Sequence, residues 1–389
     1  MAALRRRVRE EGHLERLLRV GTCLTMCGYG AQVGQLAATA RAFRADAQLW
    51  GAHARHRGPR GRTALMDAAA TDNVSRIYFL LECGADVEAV EAEFGDTALT
   101  FACQAGHCAA ARLLVERGSA NVNAARTTDG MTALMWACQN GHLEIVRFLV
   151  KRGGANVNAA RTTDGFTALM SACELGHLEI VRILTGQEGI NVNAAQTDGG
   201  YTALMWATLK GHVDIVRILV ERGAANVNAA RTTDGFSALM SACELGHLEI
   251  VRILTGQEGI NVNAAKTDTG FTALMWASQN GHLEVVRFLV ERGGACVRLH
   301  DSNGGAPLMV ASEFGHLEVV LYLLQRGAVV NAARGACGRT ALMLASWKGH
   351  LAVVRLLLER GALKHLVNHA GRTARSLAAS HSLVRAALA

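Results

Sequence analysis

Apolar positions along this chain fall into short helical runs that glycine interrupts at regular intervals. In residues 130–164, Leu134, Ala137 and Cys138 recur at helical spacing and predict a short helix with a small apolar face. Thr132 stands where an N-cap belongs, and Gly130 supplies the tight turn before it. Gly141 ends the helix, at a point where the chain must turn left-handed. A second helix is predicted from about His142 to Arg152, with Leu143, Val146, Leu149 and Val150 inward and Glu144, Arg147, Lys151 and Arg152 in water. From Asn156 to Asp164 the polar, Asn-bearing stretch predicts an extended, hairpin-like finger.

The same pattern recurs along the chain. Its opening glycines are Gly61, Gly95, Gly130, Gly165, Gly200, Gly235, Gly270, Gly304, Gly338 and Gly371, so the period is 33 to 35 residues. A unit of that size cannot bury its own apolar face, and stacking on its neighbours is what closes the core. Residues 165–195 and 235–265 differ only at Thr167 and Ser237, so two repeats were copied together.

These residues resemble the ankyrin repeat, whose pattern is Gly-x-Thr-Pro-Leu-His-x-Ala-Ala, then Gly-His, an apolar helix, Gly-Ala and a hairpin. Gly130, Thr132, Leu134, Ala137, Gly141, His142, Val146, Leu149, Ala155 and Asn158 occupy its positions. The resemblance covers roughly residues 58–389. It implies an all-α fold, an α-solenoid of helix-turn-helix repeats with β-hairpin-like fingers. The usual Pro-Leu-His reads Ala-Leu-Met here, and of the two prolines only Pro307 fills the expected slot. The finger is one residue longer than the family pattern, as is the Gly-Gly turn.

The resemblance also places a binding surface on the concave side formed by fingers and first helices. The slot before the capping Thr holds Met131, Phe166, Tyr201, Phe236 and Phe271. A second slot alternates Trp136, Ser171, Trp206, Ser241 and Trp276. Before Gly-His stand Glu174 and Leu175, Leu209 and Lys210, then Glu244 and Leu245. An aromatic stripe with mixed polar neighbours is a candidate protein-recognition surface, because aromatics anchor interfaces. Duplication alone would also reproduce it, and each aromatic would then pack on an adjacent finger.

No catalytic, cofactor or metal site is expected. His107, His142, His177, His212, His247, His282, His316 and His350 share one structural position and are assigned to packing. Cys23 with Cys27, and Cys103 with His107 and Cys108, lack the second pair that zinc requires. His365, His369 and His381 fall in a degenerate last repeat, Gly371–Ala389, that lacks Gly-His and acts as a cap. Cys103, Cys138, Cys173 and Cys243 take a small core slot and read as buried free thiols of a reducing compartment, cytoplasmic or nuclear.

The formal net charge of +7 is uneven: residues 1–62 carry twelve Arg against four acidic residues, while the remainder is nearly neutral. An arginine-rich wet face on an amphipathic helical segment accounts for this as well as an arm for nucleic acid or an acidic partner. Residues 1–57 form a separate segment, and Gln35–Trp50, with Leu36, Ala37, Ala40, Phe43, Leu49 and Trp50, resembles the second half of an F-box. The Leu-Pro opener of that family is absent. The segment is therefore either a helical cap on the first repeat or a dock for a ubiquitin-ligase adaptor. No apolar run is long enough for a membrane span, and the Arg-rich start is not followed by a secretory hydrophobic region. The expectation is a monomeric, non-catalytic scaffold for protein partners, or else the substrate-recognition subunit of a cullin-type ubiquitin ligase.

Overall fold

The computed structural model describes residues 57–389. The F-box-like segment and the N-terminal helical segment lie outside the described residues. The described chain falls into two compact bodies, one up to Thr163 and one from Asp164 to Ala389.

The first body holds three helix pairs: α1 (Ala64–Ala70) with α2 (Val74–Glu82), α3 (Ala98–Ala105) with α4 (Cys108–Glu116), and α5 (Ala133–Gln139) with α6 (Leu143–Lys151). The second holds seven pairs. They are α7 (Ala168–Leu175) with α8 (Leu178–Thr185), α9 (Ala203–Leu209) with α10 (Val213–Glu221), and α11 (Ala238–Leu245) with α12 (Leu248–Thr255). Then come α13 (Ala273–Gln279) with α14 (Leu283–Glu291), α15 (Pro307–Phe314) with α16 (Leu317–Gln325), α17 (Ala341–Lys348) with α18 (Leu351–Glu359), and α19 (Ala374–Leu377) with α20 (Ser382–Ala387). Within each body, first helices stack on first helices and second on second. This is the helical repeat solenoid that the period predicts.

Every first helix but α15 starts where an N-cap hydroxyl accepts from one of its otherwise unpaired N–H groups. Thr132 accepts from the Met135 N–H at 3.4 Å, Thr167 from the Met170 N–H at 3.3 Å and Ser237 from the Met240 N–H at 3.3 Å. Ala306 has no such hydroxyl, and there Pro307 begins α15 with its preset φ. Between pairs the fingers are successive turns rather than strands. Several are pinned by a single antiparallel bridge, such as Ala195 with Thr202 or Ala230 with Ser237.

The core is built from repeated slots. Leu134, Leu169, Leu204 and Leu239 of the first helices are buried, as are Val146, Val181, Val216 and Val251 of the second. Burying each such side chain is worth about 1.5–3 kcal/mol. In α6 the buried face is Ile145, Val146, Phe148 and Leu149, while Leu143 and Val150 are half-buried. The sequence pattern placed those two inward. The observed face is the i, i+1, i+3, i+4 set, and Leu143 and Val150 lie on its rims. Cys103, Cys138, Cys173 and Cys243 are buried free thiols, and burial pushes the Cys103, Cys138 and Cys243 thiols far up.

Candidate functional site

Three features of the first-helix and finger side decide what it offers to a partner: the histidine slot, the aromatic slots and the ends of the first helices.

The histidines are a stacking device. His142 Nε2 lies 3.2 Å from the Gln104 carbonyl oxygen of the preceding repeat, and His282 Nε2 lies 3.0 Å from that of Glu244. A carbonyl only accepts, so Nε2 carries the proton in each case. The ring also lies over the glycine of the repeat before it. A Cβ on Gly246 would come within 2.6 Å of His282 Nδ1, and Gly246 has φ +74°. Glycine is needed at that position on both counts. His381 takes the same position in the last repeat, 3.2 Å from the Trp347 carbonyl oxygen. The missing Gly-His there is thus a missing glycine only. Among the described residues no cluster of His, Cys, Asp or Glu is arranged to hold a metal.

A second stacking device was not legible in the sequence. In the Asn-Val-Asn segment the second Asn clamps the next repeat. Asn228 Oδ1 accepts from the Asn261 N–H at 2.8 Å, and its Nδ2 donates to the Gly259 carbonyl at 2.8 Å. Asn193 does the same to Asn226 and Ala224, and Asn263 to Cys296 and Gly294. The first Asn of the segment caps its own turn, as Asn226 does for the Asn228 N–H at 3.0 Å. The signal was the strict recurrence of both Asn residues. What each one touches lies a repeat away.

The aromatic slots form inward-facing clusters. Trp206 is the hub of one: Phe166 meets it edge-on at 5.9 Å between ring centroids, and Tyr201 stacks on it at 5.0 Å. Its indole N–H donates to Gln196 Oε1 at 3.0 Å. Trp276 is the hub of the next, with Phe236 at 5.5 Å and Phe271 at 5.3 Å, both edge-on. Arg231 joins the two clusters. It lies over the rings of Tyr201 and Phe236, donates to the Tyr201 hydroxyl and pairs with Asp234. In the first body Trp136 lies beneath Arg126, which also covers Phe94 and pairs with Asp96 and Asp129. Met131 and Phe166 are buried, and Tyr201, Phe236, Phe271 and the three tryptophans are half-buried. The sequence left open whether this column is exposed or packs on neighbouring fingers. Phe166, Tyr201, Phe236 and Phe271 are sunk because each packs beside a tryptophan. Ser171 and Ser241, which alternate with the tryptophans, are buried too.

What projects instead is a row at the C-terminal ends of the first helices of the second body. Leu175, Leu209 and Leu245 are 48%, 37% and 41% exposed. Phe314 and Trp347 continue it at 50% and 40%, and the sequence reasoning missed both. The signal was present, since both lie one or two residues before a Gly-His, as the leucines do. Charged groups flank the row. Lys210 pairs with Glu174 at 3.6 Å, Glu313 with Arg334 at 3.4 Å, and Lys348 and Arg339 lie over the Trp347 ring. Glu244 is half-buried beside Leu245.

A stack of paired helices with capped first helices, short fingers and inter-repeat histidines defines an α-helical repeat protein. The chain belongs to the ankyrin-repeat family. A family model of three ankyrin repeats matches residues 36–126, 119–196, 188–266, 260–334 and 296–368. Ankyrin repeats are protein–protein interaction modules, and the family is generally non-catalytic. A search of curated proteins finds no match to the chain. No helix among the described residues is long and apolar enough to cross a membrane.

Proposed function

We propose that this chain is a non-catalytic scaffold or adaptor whose protein partner docks on the first-helix and finger side of the second body. The observation that carries this reading is the exposed row Leu175, Leu209, Leu245, Phe314 and Trp347. Exposed apolar side chains scattered singly are ordinary, but five near the C-terminal ends of first helices, one or two residues before Gly, offer apolar surface of the kind that partners cover, with Gln279 and Asn280 in the intervening repeat. The half-buried aromatics Tyr201, Phe236 and Phe271 form its floor and hold it rigid. Lys210, Glu174 and Glu244 make a polar rim, which is the arrangement of a specific interface. Phe166, Trp206 and Trp276 pack with these aromatics, and Met131 and Trp136 belong to the first body.

The test uses the full chain as bait in native lysate, with Leu245→Ser and Phe314→Ser combined as one variant. Partners retained by the unaltered chain should be lost from the variant at an unchanged melting temperature. Tyr201→Ala with Phe236→Ala should lower the melting temperature as well as retention. If the serine variant keeps the same partners at the same salt concentration, the row is not the docking surface.

A further inference from the structure

In the last repeat two slots that are apolar in the earlier repeats of the second body hold arginines. In every earlier repeat of the second body the residue two after the N-cap is a leucine, from Leu169 to Leu342, and it is buried. In the last repeat this slot holds Arg375, on α19. The residue four after the histidine is a buried valine from Val181 to Val354. In the last repeat this slot holds Arg385, on α20. Both arginines are exposed, whereas Ala374, Leu377, Val384 and Leu388, which face the preceding repeat, are buried. The two substitutions therefore fall on the side of the repeat turned away from its neighbour.

The two arginines converge. Arg375, Ser382, Arg385 and Ala386 line one open cleft of about 230 Å³ between the last two helices. Residues 360–389 contain five basic residues and no Asp or Glu. In other second helices Arg147, Arg182 and Arg252 pair with a carboxylate three residues before them, at Glu144, Glu179 and Glu249. Three residues before Arg385 stands Ser382 instead. Lys364 is occupied by the Ala389 carbonyl at 3.0 Å, which leaves the arginine pair as the open charge of the cleft.

A terminal repeat needs a polar outer face to stay soluble. Polarity alone does not require two like charges to share a cleft, which costs Coulomb energy that an anion would offset. Guanidinium groups present paired N–H donors that match the oxygens of a phosphate or carboxylate, and the Ser382 hydroxyl adds one more donor. Two arginines balance a dianion, whereas a single carboxylate leaves one charge uncompensated.

We propose that Arg375, Ser382 and Arg385 form a binding site for a phosphate dianion, either free or as a phosphomonoester. The site is separate from the exposed row of the first helices and does not depend on a partner docking there. Hydrogen exchange of the full chain, followed over residues 373–389, tests it with three probes: inorganic phosphate, phenyl phosphate and benzoate. Both phosphates should protect this segment at millimolar concentration, where binding corresponds to roughly 4 kcal/mol. Stronger protection by phenyl phosphate identifies an ester-bearing ligand, and equal protection identifies the free ion. The Arg375→Gln, Arg385→Gln double variant should need at least about tenfold more phosphate, and the corresponding double Lys variant should fall between the two. Both sites are exposed, and an unchanged circular dichroism spectrum will confirm folding. Absence of phosphate-dependent protection, equal protection by benzoate, or an unchanged response in the Gln variant would each overturn the proposal.

Discussion

The Trp206 and Trp276 clusters are built on nearly the same sequence and differ in how their polar atoms are satisfied. Both hubs hold one ring from their own finger and one from the finger before. At Trp206 the indole N–H has Gln196 as its acceptor. At Trp276 the buried indole N–H has no partner, and the slot of Gln196 holds Lys266, which turns to Asp234 at 3.2 Å and Asp268 at 2.8 Å. Copying preserved the shape of the aromatic floor. A handful of diverged residues then decided whether a buried donor is paired. An unpaired buried donor costs about 1–3 kcal/mol, so the second cluster keeps its geometry at a lower margin of stability.

The largest way to break this comparison is to remove the hubs. Trp206→Ala should destabilise its neighbourhood by roughly 3 kcal/mol, as large core truncations do. Trp276→Ala should cost about 1 kcal/mol less, because it removes an orphaned donor while Trp206→Ala creates an orphaned acceptor. Native-state hydrogen exchange is the suitable measurement, since loss in a repeat stack is local. Equal losses at the two sites would show that the indole hydrogen bond is energetically silent.

Acid separates the clusters next. Hydrogen bonding from Arg231, then the Phe236 N–H and Lys266, hold the Asp234 carboxyl down at about 2. A depressed folded value means that the stabilisation is present above the unfolded value, ordinarily 3.8, and is lost as pH falls through the folded one. Exchange protection of the finger around residues 230–237 should therefore decline between about pH 4 and 2. Arg231→Ala should already be weakened at neutral pH and should show a smaller acid-dependent loss.

The smallest effect sharpens the comparison most. Lys266→Gln copies the Gln196 environment into the second cluster. It should slow exchange of the Trp276 indole N–H and shift its resonance downfield. The net stability change should stay within about 1 kcal/mol, because one hydrogen bond is gained and two ion pairs of Lys266 are lost. An unaltered indole signal would mean that the glutamine does not reach Trp276.

The candidate surface was only partly legible in the residues. Leu175, Leu209 and Leu245 were named from their position before Gly-His, and the same position marked Phe314 and Trp347. For Phe166 the sequence left both a partner contact and packing on an adjacent finger open. Its depth depends on Trp206, which is forty residues away and becomes its neighbour only when repeats stack.

The sequence by itself determined the period, the helix starts at Thr132, Thr167 and Ser237, and the buried cysteine and leucine slots. These depend on interactions within a few residues, where spacing and side-chain type are sufficient. Only the tertiary structure decided that His282 bonds the Glu244 carbonyl, that Asn228 clamps Asn261, and that Trp206 is satisfied while Trp276 is not. Those partners stand a repeat away or belong to residues that differ between copies. A one-dimensional pattern repeats the slots and leaves open which atoms meet across them.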